Sequence, residues 1–395
     1  MLSPFSESTN NRQQNHSDWI DAFRGLAAMW VILYHSREQW VGFYQIRSTP
    51  EAYSVFDRLL AWISLPTACG GSAVMLFFLI SGFCVHLPYA AESRAFVATQ
   101  YALRRTFRIL PPYLFAVALT CLLEWLVYWM HGAAPTPWSR VFRVAMLSQN
   151  YGSRDYGNHD GQLLTNGSLW SLPIEVELYV AYLVFYFLLK KTTALSTGII
   201  VSVVSLLATI GYLCGLEELS DNFLRFWAMW CAGALLAECS KRGQLSEFRT
   251  WNLWILLLIA VSAAVGVSRH WPEGILEYLW AAVYFHLIWF ALLKPGSINL
   301  LPKWCVWLLV WMGTVSYSAY LIHKPIFALY GYVWQHFTGG KPASFLVPLL
   351  YSLSIWPLAW LFWKGCEFPF HEISRRLGKV RKKSESILPN SVKAV

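Results

Sequence analysis

The amino-acid sequence predicts an all-α polytopic membrane protein with about ten transmembrane helices and both termini in the cytoplasm. Hydrophobic residues make up 56% of the 395 residues, charged residues only 13%, and the mean hydropathy is +0.41. A typical soluble domain carries roughly 25% charged residues, so this chain has too few to cover a water-exposed surface. Aromatic residues reach 17%, with 22 Trp, and Trp and Tyr favour the membrane–water interface. The composition therefore excludes a soluble enzyme, a disordered chain and a coiled coil.

Each predicted helix is a run of about 20 apolar residues, the length that crosses the hydrocarbon core of a bilayer. The predicted spans cover residues 19–36, 66–90, 109–130, 169–189, 195–215, 222–240, 251–268, 275–293, 304–331 and 344–365. The ninth run is long enough to consist of two shorter helices. Residues 19–365 thus form one membrane domain between predicted tails at 1–18 and 366–395. A long loop rich in Gly and Asn ends at residue 168.

Lys and Arg residues predict the orientation, because cytoplasmic segments carry an excess of them. With the N-terminus inside, the inner segments hold more than twice as many as the outer segments. The net charge of +9 reflects this anchoring and predicts no nucleic-acid partner. The eight Cys residues include no CxxC pair, and most lie in apolar runs, so neither a metal site nor a disulfide framework is predicted.

The first span contains three ionisable residues, Asp21, Arg24 and His35. A charge at the bilayer centre costs roughly 2.5–3.5 kcal/mol, so each needs a physical reason. Arg24 and His35 are eleven residues apart, which places them on one helix face and about 16 Å apart along the axis. This spacing suits a long ligand with an anionic head at Arg24 and a reactive group at the imidazole. The alternative is a snorkelling Arg and a His bonded to a neighbouring helix.

A cluster of arginines, Arg104, Arg105 and Arg108, precedes the third span in the segment ALRRTFRILPPY. Pro111 and Pro112 suit the first turn of that span. Arg105 and Arg108 are three residues apart and project to one side of a helix. Guanidinium groups beside a helix N-terminus favour a phosphate ligand. The alternative is plain cytoplasmic anchoring, which charge alone favours.

Three further stretches place polar residues in apolar surroundings. Glu175 and Glu177, in SLWSLPIEVELY, lie in the outer part of the fourth span. A carboxylate there can orient a histidine that acts as a general base. The alternative is a solvated Glu at the membrane interface, and we expect this for one of the two glutamates. Small residues around Ser81, in GSAVMLFFLISGF, predict a close helix contact. His323, in GTVSYSAYLIHKPI, either lines the same cavity or bonds across helices.

Together these stretches resemble the acyltransferase-3 family of integral-membrane O-acyltransferases, which modify bacterial surface polysaccharides and other extracytoplasmic glycans. IDAFRGLAAMWVILYH is similar to the opening motif of the family, in which ten residues separate an Arg from a His. LFFLISGF, RTFR, LWSLPIE, SYSAYLIHKP and the closing EFPF resemble further family motifs in the same order. The resemblance spans nearly the whole chain.

The resemblance implies an acyl-CoA co-substrate that enters from the cytoplasm, with acetyl-CoA as the expected form and no permanently bound cofactor. It assigns Arg24, Arg105 and Arg108 to the phosphates of CoA. The pantetheine arm of CoA is roughly as long as the distance from Arg24 to His35, so residue spacing and resemblance agree. The expected partners are the lipid bilayer and an extracytoplasmic glycan or lipid-linked sugar, and the expected location is the plasma (inner) membrane.

The resemblance also implies roles at the reacting end. His35 would act as the catalytic base or as a transient acyl carrier, and Glu175 would set its tautomer or stabilise its charge. Asp21, Ser81 and His323 are candidates for the cavity wall or the acceptor side. The sequence does not identify the acceptor or the acyl group. It also does not distinguish direct transfer from a covalent acyl relay.

Two other function classes remain as alternatives. A transporter or flippase would also carry paired intramembrane charges. However, the sequence has no inverted repeat, and its arginine cluster lies at one membrane face rather than at the midplane. A different membrane-bound O-acyltransferase fold with a His/Asn site is the second alternative, and the RTFR and LISGF stretches speak against it.

Overall fold

The computed structural model describes residues 4–132, 134–151, 154–155, 158–159 and 163–385. Within them the chain is almost entirely helical, with short 3₁₀ turns between the helices. The α-helices are α1 (Pro4–Ser36), α2 (Phe43–Ser48), α3 (Val55–Ile63), α4 (Ala73–His86), α5 (Ala98–His131), α6 (Trp138–Ala145), α7 (Ser171–Lys191), α8 (Ala194–Leu213), α9 (Phe223–Lys241), α10 (Thr250–Ser268), α11 (Glu273–Leu293), α12 (Lys303–Thr314), α13 (Ser316–Thr338), α14 (Leu346–Phe362) and α15 (Phe368–Glu385).

The long loop between α5 and α7 is described in part. It contains α6 and a pair of two-residue antiparallel strands, β1 (Arg154–Asp155) and β2 (Asn158–His159), in which Arg154 pairs with His159. The other residues of its Gly- and Asn-rich stretch, at 152–153, 156–157 and 160–162, lie outside the described residues. Residues 1–3 and 386–395 of the two predicted tails lie outside them as well.

The predicted fold class is confirmed, because each of the ten predicted spans coincides with a helix. By length and apolar composition alone, seven helical segments of the described chain can cross a membrane, or eight if a bent pair counts as one span. Helices α1 and α9 fall outside this set. The bent pair is the predicted ninth span, in which α12 and α13 meet at 72°. The orientation of the termini stays a prediction.

The described parts of the predicted tails are helical rather than irregular. Helix α1 begins at Pro4, so the first span continues back into the N-terminal segment. At the other end, α14 continues through a π-helical turn at Trp363–Glu367 into α15. Ser374 of α15 donates a hydrogen bond to the main-chain carbonyl of Arg104 in α5, with 3.1 Å between Oγ and O. Helix α15 therefore packs beside the helix that carries the arginine cluster.

Glycines bring two pairs of helices into backbone contact. A Cβ added to Gly82 of α4 would overlap the main-chain carbonyl of Trp230 in α9, and a Cβ on Gly233 of α9 would overlap that of Leu79. Gly25 of α1 has the same relation to the carbonyl of Leu309 in α12. Small residues allow this approach, which gives membrane helices their packing energy. The close contact predicted around Ser81 is thus present between α4 and α9.

Replacing Gly82 by Ala should destabilise the protein, because the new methyl group forces α4 and α9 apart. Overpacking of this kind costs about 1–3 kcal/mol, so the melting temperature of the purified protein should fall by several degrees. Gly296→Ala is the matched control, since nothing lies within 4 Å of a Cβ at that position. An unchanged melting temperature for Gly82→Ala would contradict the backbone contact.

Candidate active site

A cavity of about 830 Å³ lies between α1, α4, α5, α7 and α13 and contains the predicted arginines. Arg24 enters it from α1, and Arg105 and Arg108 enter it from α5. Ser81 of α4 and Glu175 of α7 lie in the same wall. The structure therefore brings together five residues that the sequence placed in four separate motifs. We call this space the arginine cavity.

The arginine helix begins earlier than the sequence suggested. Pro111 and Pro112 lie inside α5, thirteen and fourteen residues after its first residue, Ala98, so their assignment to a first turn is wrong. The polar residues ahead of the apolar run are helical too, which hydropathy does not detect. Proline removes a helical N–H donor and leaves a carbonyl of the preceding turn free. Pro111 and Pro112 free the carbonyls of Phe107 and Arg108 in this way, and Tyr317 of α13 donates a hydrogen bond to the neighbouring carbonyl of Ile109, at 3.0 Å.

Polar contacts hold the wall of the arginine cavity in place. Glu175 accepts hydrogen bonds from the hydroxyl of Tyr179 at 2.5 Å and from that of Ser81 at 3.2 Å. The guanidinium of Arg105 lies over the ring of Tyr179, 5.2 Å from its centre. Asp21 does not line the cavity, and its carboxylate lies 3.5 Å from the guanidinium of Arg24. Guanidinium groups thus outnumber carboxylates, and the cavity is suited to an anionic ligand.

The predicted histidines lie together near the C-terminal end of α1. The ring centres of His35 and His323 are 5.2 Å apart. The ring of Tyr320, which lines the arginine cavity, has its centre 5.8 Å from that of His323. Tyr320 is fixed by a hydrogen bond with Ser171 and by one to the carbonyl of Ser168, both at 2.6 Å. One aromatic ring therefore separates the arginine cavity from the histidine pair.

The hydrogen bonds of the two histidines define their tautomers. His35 Nδ1 lies 2.8 Å from a carboxylate oxygen of Glu38, so Nδ1 carries a proton and Nε2 has a free lone pair. His323 Nδ1 donates to the main-chain carbonyls of Tyr320 at 2.8 Å and Ala319 at 3.2 Å. Its Nε2 is buried and has no partner among the described atoms. Both rings therefore keep a nitrogen with a free lone pair, which is buried in His323 and belongs to a partly exposed side chain in His35.

The partner of His35 is Glu38, not Glu175. The interpretation that Glu175 sets the tautomer of His35 needs this correction, because the hydrogen bonds of Glu175 go to residues of the arginine cavity. Glu38 lies one turn beyond His35, in the 3₁₀ turn that follows α1, and also binds Lys324 at 3.0 Å. The sequence reasoning missed Glu38, although its spacing of three residues from His35 was a usable signal.

Glu38 is ionised at every working pH. Burial by itself raises the pKa of its carboxyl, but the hydrogen bond from His35 and the charges of Lys324 and His35 outweigh burial and lower the pKa to about 2. A fixed carboxylate at Nδ1 orients the imidazole and stabilises the imidazolium that forms when Nε2 takes a proton. The pair can thus act as a general base. Within the described residues, no group of three or more His, Cys, Asp or Glu could hold a metal ion.

A second space opens beside Glu38, with a volume of about 800 Å³. We call it the polar pocket; it is lined by Glu38, Gln39, Leu164, Thr165, Lys324, Ala328, Tyr332, Gln335 and Lys341. Its loop wall is held by Glu124 of α5, which is 4% exposed. Glu124 accepts hydrogen bonds from the main-chain N–H of Thr136 at 2.9 Å and from the N–H and hydroxyl of Thr165 at 3.0 and 2.8 Å. The sequence reasoning missed this buried carboxylate too.

Comparison with known proteins identifies the family. Residues 17–364 match the acyltransferase-3 family, described as an acyltransferase domain, so the chain belongs to this family. It is 24% identical to a Komagataeibacter xylinus protein named membrane-bound transacylase BcsY over 315 residues, which are 78% of this chain and 72% of that protein. It is 21% identical to the O-acetyltransferase PaAT-1 of Phomopsis amygdali over 280 residues, which are 62% of this chain and 52% of that protein.

No solved structure matches the chain. The family and the apolar helices together make the protein a multi-pass membrane acyltransferase. The transporter and flippase alternatives therefore give way to an enzyme.

Glu38→Gln should lower acyl transfer by roughly 10- to 100-fold, because the amide can still accept from His35 Nδ1 but cannot stabilise an imidazolium. Affinity for the acyl donor should stay within twofold, since Glu38 lies outside the arginine cavity. With the pKa of Glu38 near 2, protonation of Glu38 should contribute nothing to the activity profile between pH 7 and 5. Full activity of Glu38→Gln would remove Glu38 from the site.

Glu124→Ala should destabilise the loop wall of the polar pocket, because three hydrogen-bond donors lose their acceptor. Each unsatisfied buried donor costs about 1–3 kcal/mol. The expected result is a lower melting temperature together with faster proteolysis between α5 and α7. Glu217→Ala, in an exposed turn between α8 and α9, is the control and should leave both measurements unchanged. A Glu124→Ala protein as stable as the wild type would show that the loop does not depend on this carboxylate.

Proposed function

We propose that this acyltransferase-3 protein transfers an acyl group, acetyl in the simplest case, from cytoplasmic acyl-CoA to a hydroxyl group of an extracytoplasmic glycan or glycolipid. The observation that carries the proposal is the arrangement along α1. Arg24, in the middle part of α1, lies in the arginine cavity, and His35, in its last turn, lies in the histidine pair. A donor that is anionic at one end and reactive at the other fits this arrangement.

The donor is assigned by charge and length. CoA carries several phosphate charges, and the guanidinium groups of Arg24, Arg105 and Arg108 can form charge-assisted hydrogen bonds with them. The pantetheine arm then spans the roughly 16 Å that separate Arg24 from His35 on one helix. Glu175 would keep Ser81 and Tyr179 in position beside the arm. This assignment places the thioester near Tyr320 and the histidine pair.

The reaction follows from the free Nε2 of His35. The acceptor hydroxyl oxygen attacks the thioester carbonyl carbon while His35 Nε2 takes the hydroxyl proton. The C–S bond breaks, the acyl ester forms on the acceptor, and the CoA thiolate leaves and is protonated by His35 or water. The Glu38 carboxylate stabilises the imidazolium during this step. A covalent relay, in which His35 Nε2 itself attacks the thioester, uses the same geometry and would leave an acyl-enzyme.

The excess of Lys and Arg in the segments on the side of the arginine cavity supports a cytoplasmic position for that end. Both termini would then be cytoplasmic, and the polar pocket would face the outside of the plasma (inner) membrane. The acyl group would cross most of the bilayer on the arm of its donor, without a separate transport step. The name of the relative PaAT-1, an O-acetyltransferase, supports acetyl as the group transferred.

The proposal is tested by binding and turnover of radiolabelled acetyl-CoA in nanodiscs. The wild type should bind acetyl-CoA and slowly release free CoA thiol, with water as the acceptor. Arg105→Ala combined with Arg108→Ala should weaken binding at least about tenfold, because each charge-assisted hydrogen bond contributes about 1.5–3 kcal/mol. His35→Ala should bind acetyl-CoA normally but release no CoA. Label retained on denatured wild type but absent from His35→Ala would identify the covalent relay.

Arg104→Ala is the matched control for this experiment. Arg104 lies on the same helix, but its guanidinium is directed to the hydroxyl of Tyr89 and the carbonyl of Gln100, outside the arginine cavity. Its loss should leave the affinity for acetyl-CoA unchanged. If Arg104→Ala weakens binding as much as the double variant, general surface charge explains the effect. If the wild type binds neither acetyl-CoA nor longer acyl-CoAs, the proposed donor is wrong.

A further inference from the structure

We propose that the polar pocket is the acceptor subsite and that it takes an acidic sugar, one whose ring carries a carboxylate or phosphate group. The inference rests on the proposed function, because it assigns the second substrate of the same reaction. It is carried by the position of the pocket beside His35, by the chemistry of its wall and by its charge balance.

The polar pocket lies on the side of His35 that carries Nδ1, next to the carboxylate partner of the catalytic ring. Glu38 is part of its wall and is also the hydrogen-bond partner of His35, at 2.8 Å. The pocket therefore begins one side chain away from the imidazole. The arginine cavity lies on the far side of the ring of Tyr320. Donor and acceptor can thus approach the histidine pair from two separate spaces.

The wall of the polar pocket suits a sugar ring. Gln39 and Gln335 provide amide groups that both donate and accept hydrogen bonds, and Thr165 provides a hydroxyl. Tyr332 adds an aromatic side chain to the same wall. Closely spaced sugar hydroxyls need donors and acceptors together, which amides supply better than charged groups do.

The charge balance of the pocket indicates an anion. Glu38 is already neutralised by Lys324, whose Nζ lies 3.0 Å from its carboxylate and whose side chain is only 19% exposed. Lys341 Nζ donates to the main-chain carbonyl of Glu38 at 2.7 Å. Among the described residues, no carboxylate forms an ion pair with Lys341. The side chain of Lys341 is exposed, so its ammonium group is open to an incoming ligand, and a carboxylate or phosphate on the acceptor would form an ion pair with it.

The loop side of the pocket is set before a ligand binds. Leu164 donates its main-chain N–H to the hydroxyl of Thr136 at 3.0 Å, and Thr165 is held by Glu124. On the opposite side, Gly331 of α13 leaves room for Gln39, because a Cβ there would overlap the amide of that side chain. A preformed wall of this kind lowers the cost of ordering the site around its ligand.

Three sugars that differ only at C6 test the inference: methyl glucoside, methyl glucuronide and methyl glucoside 6-phosphate. Each is added to nanodisc-embedded wild type with acetyl-CoA, and CoA release above the sugar-free rate is measured. We expect kcat/KM for at least one acidic sugar to exceed that for methyl glucoside by about tenfold. The acid with the larger value identifies the anion as a carboxylate or a phosphate. Mass spectrometry of the product confirms acylation of the sugar.

Lys341→Gln should reduce the preference for the acidic sugar to threefold or less, through a higher KM for that sugar. Lys303→Gln is the control, since Lys303 begins α12 and does not line the pocket; the preference should stay at the wild-type value. Equal rates of CoA release with all three sugars in the wild type would overturn the inference. The same holds if none of the sugars raises the rate above its sugar-free value. So would an unchanged preference in Lys341→Gln.

The two proposals fail in different ways. Acetyl-CoA binding and sugar-free CoA release report on the donor side alone. A wild type that binds and hydrolyses acetyl-CoA but shows no preference for an acidic sugar keeps the proposed function and loses the acceptor assignment. A wild type that binds no acyl-CoA loses both.

Discussion

An ionisable side chain in the low-dielectric interior of a membrane must have a partner, and this requirement shapes both ends of the site. At one end Arg24 is paired with Asp21, and at the other His35 is paired with Glu38. These contacts exist before any substrate binds. The groups that would meet the donor and the acceptor are therefore already oriented, which is what electrostatic catalysis in a dry site needs. The same ion pairs thus lower the cost of placing α1 in a bilayer and orient its side chains for the proposed reaction.

The scaffold around the site obeys the same constraint. Arg225 of α9 forms a buried ion pair with Glu277 of α11, and Glu238, further along α9, binds His86 of α4 at 2.9 Å. Backbone contact at Gly82 joins α4 and α9 between these points. A carboxylate that pairs across helices costs less than one left alone, and it also fixes the register of the helices. Helix α4 is therefore held rigidly where it presents its polar side chains to the arginine cavity.

Local sequence patterns predicted the helices and most of the arginine cavity, but not the partner of the histidine. Hydropathy and helical spacing are properties of one segment, so they placed Arg24 and Glu175 on the correct helices. The contact between His35 and Glu38 depends on how the chain turns after α1 ends, which periodicity does not describe. The start of α5 at Ala98 was missed for a related reason, because polar helical residues outside the bilayer leave no hydropathy signal.

The positions of Arg24 and His35 on α1 also limit the acyl group that the proposed reaction could use. Because Arg24 and His35 lie on one helix, a donor held at the arginines has its thioester at a fixed depth. A long acyl chain would then extend past the histidine pair into the polar pocket, where Gln39 and Gln335 offer hydrogen bonds that a hydrocarbon cannot use. Water leaving these amides would not be replaced, and that desolvation opposes binding. The proposed position of the donor would therefore favour acetyl and other short acyl groups over fatty acyl groups.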